Sequence, residues 1–153
     1  MANAYTQLYT QFVFAVKNRQ ALIRPEWEEQ LFRYITGIVQ NRRHKMMAIN
    51  GMPDHIHIFV SMHQAESVAS LVQEVKKAST AFIKDEKLTR HRFQWQTGYG
   101  AFSYSKSHAK RVVNYVLRQK QHHRKKTFRE EYLELLAAFE IEYQTEYLFE
   151  FFE

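Results

Sequence analysis

The sequence predicts a single α+β domain spanning 1–153, built on the ferredoxin-like split βαβ plan: an antiparallel sheet with helices on one face, followed by additional C-terminal helices. Three observations predict it. Apolar residues recur in the order strand, helix, strand, strand, helix, strand, with the period switching between two and about 3.6 residues. No repeat, low-complexity tract or linker interrupts a chain that holds only 4 Gly and 2 Pro. Its 153 residues, 45% of them hydrophobic, suffice for one core without staples.

The stretch 5–16 is aromatic and β-branched with partial alternation, a first strand. Pro25 opens a helix at its first turn, where Glu26, Glu28 and Glu29 suit the positive end of the dipole. Trp27, Leu31, Tyr34, Ile35 and Ile38 then recur on one face of it. Two strands, 46–50 and 55–62, flank the turn Gly51, Met52, Pro53, Asp54. Ser67 caps a second helix whose apolar face is Val68, Leu71, Val72, Val75, Ala78 and Phe82. Residues 93–104 form a fourth strand that Gly98 and Gly100 allow to bend, and helices follow over 107–125 and 128–139. Helices confined to one face would leave the other sheet face free for function. The acidic, aromatic tail over 140–153 is too apolar to remain solvated and is expected to dock on the body or on a partner subunit.

Charge is divided unevenly. Up to Arg129 there are 22 Lys/Arg against 8 Asp/Glu, a formal +14, and the last 24 residues hold the other 8 acids and no base, which leaves the overall +6. So basic a body is an electrostatic footprint for polyanions, nucleic acid first among them. The basic residues cluster at Arg42, Arg43 and Lys45, at Lys76 and Lys77, at Lys106 to Arg111 and at Arg124 to Lys126. There are no cysteines, so disulfides, thiolate metal sites and a cysteine nucleophile are excluded. Neither a signal-like start nor an apolar run of membrane-spanning length occurs, so no membrane association and a soluble, cytoplasmic setting are expected.

The run Asp54-His55-Ile56-His57-Ile58-Phe59-Val60 carries the chemistry. In a strand, side chains alternate, so His55, His57 and Phe59 share one surface and Ile56, Ile58 and Val60 the other. Two imidazoles on one face, their Cα atoms about 7 Å apart, can lean onto one divalent ion. Alone the pair also suits the polar side of an amphipathic strand. On the third predicted helix Tyr115 and Gln119 lie one turn apart, in a stripe with His108, Arg111 and His122. Such a stripe is poor core material, and beside a bis-histidine pair it composes a phosphoryl-transfer site. A tyrosine can attack a phosphodiester, but a phenol with a pKa near ~10 is a weak nucleophile and needs help from the electrophile. Mg²⁺ or Mn²⁺ held by His55, His57 and Gln119 would polarise the phosphate and orient the leaving 3′-oxygen.

These residues resemble the single-tyrosine HUH transposases, which move small bacterial insertion sequences as single-stranded DNA, together with their relatives associated with repetitive extragenic palindromes. The resemblance rests on the Met52 to His57 run, on the helix bearing Lys76 and Lys77, on Trp95-Gln96-Thr97-Gly98-Tyr99-Gly100, and on Tyr115 with Gln119 followed by His122, His123, Arg124 and Phe128. It implies His55, His57 and Gln119 as metal ligands, Tyr115 as the nucleophile that joins a DNA 5′ end, and DNA contacts from Lys76 and Lys77. Arg111, His122, His123 and Arg124 are further candidate DNA contacts. It also implies a homodimer acting on single-stranded or hairpin DNA, in which the tyrosine helix can sit against the partner's histidines. Tyr99 and Tyr104 are candidates for base stacking or for the core. Two other readings stand beside this one: a noncatalytic nucleic-acid-binding module of the RNA-recognition kind, and a nickase that starts replication or plasmid transfer.

Overall fold

A computed structural model of the chain describes residues 3–152, so positions 1, 2 and 153 of the expected domain lie outside the described residues. The first strand, β1 (Tyr9–Ala15), is followed by α1 (Pro25–Asn41), β2 (Lys45–Met52), β3 (His55–Ser61), α2 (Val68–Asp85), β4 (Gly100–Tyr104), α3 (Lys106–Leu117), α4 (Gln119–His122) and α5 (Phe128–Ala138). The sheet order is β2-β3-β1-β4 with every pairing antiparallel, the expected split βαβ plan. Among the described residues no helix is long and apolar enough to cross a membrane.

Alternation along β1 and β3 sorts the core. Phe12, Phe14, Ile56, Ile58 and Val60 pack with Leu31 and Ile35 of α1 and Leu71 and Val75 of α2. Each such fully buried side chain contributes ~2 kcal/mol. Pro25 occupies the first turn of α1, where its missing N–H costs nothing, and the Ser67 hydroxyl accepts from the Ser70 amide at the start of α2, both as the sequence predicts. The C-terminal end of α1 is tied to the loop before α2 by Arg42 and His44, which both bind Glu66. The Arg42 hydrogen bond holds the Glu66 carboxyl at about 2.

The opposite sheet face, which the sequence reading expected to be free, is covered. Ala48 of β2 and Phe59 of β3 pack beneath Ala109, Val112 and Val116 of α3, and Phe102 of β4 meets Phe139 just beyond α5. The sheet is thus sandwiched between two helix layers, because the second face also carries large apolar side chains, Val13, Phe59 and Phe102 among them, that need covering. His55 and His57 lie on this second face and are fully buried.

The first strand begins at Tyr9 rather than at residue 5, and two further expected elements are shorter. The fourth strand starts only at Gly100, with a single bridge between Val16 and Trp95 ahead of it. Gly98 has φ of 90°, which breaks the extended run, and the Lys76 ammonium donates to the carbonyls of Gln96 and Gly98, 2.9 and 2.6 Å away. Gly100 is required by close approach, since a Cβ there would lie 2.9 Å from the Tyr132 ring. The helix expected over 107–125 breaks at Arg118 into α3 and α4.

The tail docks as expected over its last residues. Phe149 is buried against Phe128 and Tyr132, and Gln96 exchanges hydrogen bonds with the backbone of Glu150. Tyr143 and Tyr147 remain exposed.

Candidate active site

The site lies between β3 and the C-terminal helices, and its centre is a residue the sequence reading did not single out, Glu131 of α5. The Glu131 side chain is buried and its Oε1 atom faces three imidazoles. His57 Nε2 lies 3.0 Å away, His55 Nε2 3.3 Å and His123 Nε2 3.0 Å. Its Oε2 atom accepts from Gln119 Nε2 at 2.8 Å and from the Tyr115 hydroxyl.

Each ligand candidate is held from behind. The His55 Nδ1 atom is 2.7 Å from Asp54 Oδ1, and its ring stacks face to face on Phe128 with centroids 3.7 Å apart. His57 Nδ1 is 2.7 Å from Gln11 Oε1, and Gln11 donates in turn to the Tyr104 hydroxyl. Outer partners of this kind set the tautomer of an imidazole and so decide which nitrogen presents its lone pair. Tyr104 is therefore engaged in the site's support, and burial pushes its phenol up to about 12.

The electrostatics follow from burial against two carboxylates. Burial pushes His57 below its ordinary value, outweighing the pull of Glu131. Burial acts the same way on His55, but there the hydrogen bonds to Asp54 and Glu131 prevail and raise it. Glu131 is held well below the usual carboxylate range: burial opposes this, and the charge of His57 and hydrogen bonds from His123, His55 and His57 overcome it. Burial, then the Glu131 charge, pushes the Tyr115 phenol above its ordinary value, so it rests protonated.

A neutral imidazole has one N–H and one lone pair. Both nitrogens of His57 and both of His55 face oxygen atoms, so in each neutral ring one lone pair meets an oxygen lone pair. Donor atoms of His55, His57 and Glu131 lie within 4.8 Å of one another, and the amide oxygen of Gln119 is 3.4 Å from His55 Nε2. Two imidazoles with carboxylate and amide oxygens are a donor set that fits a divalent first-row ion.

The expected site residues divide. Tyr115, Gln119, His55 and His57 come together within one chain, despite the helix break between the tyrosine and the glutamine. His122 packs its ring on Tyr115 at 4.9 Å. His123 was expected to contact DNA; it is instead turned into the site, where its Nε2 also lies 3.1 Å from Gln119 Oε1. Lys76 is a second difference, its ammonium taken up by backbone carbonyls and its pKa lowered by burial to about 8. Lys77 and Arg111 are exposed, and His108 is engaged with Ser105 outside the cluster. A cleft of about 790 Å³ opens beside Tyr115 and Glu131, rimmed by Arg118, Arg124, Lys125 and Lys126.

Glu131, Asp54 and Gln11 were missed for different reasons. Glu131 directly follows Glu130, the partner of Thr127 in a capping box, so in sequence it reads as another acid at a helix start. Asp54 reads as a turn residue. A lone glutamine inside the aromatic first strand was the one available signal for Gln11.

Comparison with known proteins places the chain among DNA-processing enzymes. The family of transposases described as IS200-like matches residues 4–119, and the chain belongs to that family; it is a DNA transposase. No curated protein matches it. Solved structures similar to it include the following two. A protein from Deinococcus radiodurans R1 assigned as a transposase shares 18% identity at a TM-score of 0.62, over 78% of this chain and 95% of its own. The REP-associated tyrosine transposase, bound to a REP hairpin, shares 17% identity at a TM-score of 0.59, over 80% of this chain and 73% of its own.

Proposed function

We propose that this transposase cleaves and rejoins single-stranded DNA through a 5′-phosphotyrosine at Tyr115, using Mg²⁺ or Mn²⁺ held by His55, His57 and Gln119. The observation that carries it is the convergence on Glu131: the phenol, the amide and both imidazoles meet at one buried carboxylate. When bound, the divalent ion supplies Lewis acidity and neutralises charge at the phosphate.

The chain's own residues do the rest. Glu131 Oε2 accepts the Tyr115 hydrogen bond in the resting site and holds the phenolic oxygen for attack on phosphorus, the phenolic proton passing to water. The bond from phosphorus to the 3′-oxygen breaks, and that oxygen takes a proton from water and leaves as a free 3′-hydroxyl. The tyrosyl ester keeps the phosphodiester's energy, so another 3′-hydroxyl can displace Tyr115 and join strands without ATP. Gln119 and the stacked ring of His55 hold the phosphate's surroundings in register, while Arg118, Arg124 and Lys125 attract the backbone along the cleft. Lys77, Arg111 and His122 are further contacts in this reading.

The substrate is single-stranded or hairpin DNA in the cytoplasm, a choice supported by the REP hairpin on one structural relative. The protein acts as a homodimer whose two sites are each complete within one chain. Incubation with single-stranded DNA from around the protein's own gene, labelled on either side of the cut, tests the mechanism. A denaturing gel should resolve a covalent adduct on the fragment that carries the new 5′ end, and a free 3′-hydroxyl on the other fragment. Tyr115→Phe should abolish the adduct while DNA affinity survives; an adduct that persists in this variant, or maps to Tyr99 or Tyr104, overturns the assignment.

A further inference from the structure

We infer that His123 supplies a third imidazole to the metal, making the centre a nitrogen-rich one that binds Zn²⁺ and Mn²⁺ in strong preference to Mg²⁺. The inference rests on the proposed metal site and adds to it two groups, His123 and Glu131, that lie beyond the family-matched span of 4–119.

Three imidazole nitrogens surround one carboxylate oxygen: the donor atoms of His55, His57 and Glu131 lie within 4.8 Å of one another, and His123 flanks that group from the side of Gln119. The Nε2 atoms of His57, His55 and His123 lie 3.0, 3.3 and 3.0 Å from the same oxygen, Glu131 Oε1. They reach it from two separate parts of the fold: the first two from β3, the third from the loop after α4. His123 carries a side chain only 6% exposed, so it does not face phosphate in solvent. Its ring lies 4.8 Å from that of His55, and its Nε2 is also 3.1 Å from Gln119 Oε1, the amide oxygen proposed as a ligand.

Donor chemistry then sets the preference. Imidazole nitrogen favours later first-row ions, whereas Mg²⁺ takes oxygen ligands and parts reluctantly with water. A site with two imidazoles and oxygen donors accommodates both kinds of ion. A third imidazole tilts it toward nitrogen-seeking ions, and the Glu131 carboxylate balances their charge. The same contacts have one other use: an N–H on His123 could simply hold Gln119 and Glu131 in place. The two uses differ in whether the ring nitrogen gives its lone pair to the ion.

The test uses the whole chain labelled with ¹⁵N-histidine, titrated with Zn²⁺ in the absence of DNA and followed by long-range proton–nitrogen correlation. The Nε2 resonances of His55, His57 and His123 should move together and saturate at one equivalent. Competition against a chromophoric chelator should give a Zn²⁺ affinity about 10-fold or more weaker in His123→Ala, with the preference over Mg²⁺ narrowed. Movement of only two imidazoles, or an affinity in His123→Ala within about twofold of wild type, overturns the inference. The wild-type resonances decide the matter even if the variant folds poorly. A chain that binds Zn²⁺ through three imidazoles yet captures no DNA overturns the proposed function and leaves this inference standing; DNA capture with an unmoved His123 does the reverse.

Discussion

The Tyr115 hydroxyl donates its hydrogen to Glu131 Oε2, and the other oxygen of the same carboxylate faces His55 and His57. One side chain therefore touches both the proposed nucleophile and the proposed metal ligands. A change at either end of this chain of contacts is felt at the other, because the intervening groups are buried and electrostatic effects there are weakly screened.

Glu131→Gln keeps the shape and removes the charge. The variant replaces the carboxylate that aligns the Tyr115 hydroxyl with an amide, so strand cleavage should fall by about 100-fold. His55 loses one of the two carboxylates that raise it, so its titration, followed by NMR in the absence of metal, should move to lower pH. An unchanged cleavage rate would remove Glu131 from the chemistry.

Metal removal should silence the enzyme. After stripping and excess EDTA, cleavage should disappear, and Mn²⁺ should restore it at lower concentration than Mg²⁺. His57→Ala should abolish cleavage in any metal. It leaves Gln11 Oε1 without its buried partner, at a cost of about 1–3 kcal/mol in denaturant unfolding, which a domain of this size tolerates. Full activity in EDTA would contradict the ligand assignment.

The adjacent lysines should behave differently. Lys77→Ala should weaken DNA binding and reduce the slope of log affinity against log salt by about 1, as loss of one phosphate contact does. Lys76→Met should leave the slope unchanged and act on stability. The folded-state pKa of Lys76 is about 8 against 10.5 when unfolded, so the unfolded chain binds the proton more tightly and wild-type stability rises between those two pH values. That rise should vanish in Lys76→Met, as chemical denaturation across the alkaline range will record.

Because His55, His57, Tyr115 and Gln119 meet within one chain, mixing His57→Ala with Tyr115→Phe subunits should recover no cleavage, even where native mass spectrometry demonstrates mixed dimers. Restored activity would mean that the tyrosine helix crosses to its partner when DNA is bound.

Much of this fold was legible in the chain because its signals are local. The two-residue period of β3 put the histidines on one side, Pro25 and Ser67 marked helix starts, and Tyr115 and Gln119 announced themselves by type and spacing. Each depends on neighbours a few residues away. The covering of the second sheet face was illegible, since an apolar stripe on α3 is compatible with either side of the sheet until chain connections choose one. The breaks at Gly98 and Arg118 were masked by residues whose periodicity continues through them.

By itself, then, the sequence determined the ferredoxin-like plan, the histidine pair, the tyrosine and the basic body, all of which rest on short-range stereochemistry and composition. Only the tertiary structure showed that Glu131 and His123 lie beside the histidine pair, that Lys76 holds a loop and that Tyr115 and Gln119 meet those histidines within one chain. The reason is distance along the backbone: Glu131 lies 74 residues from His57, and no periodicity spans such a gap. What brings them together is the burial of α5 against Phe102 and Gly100, an apolar contact whose sequence says nothing of the carboxylate it carries inward.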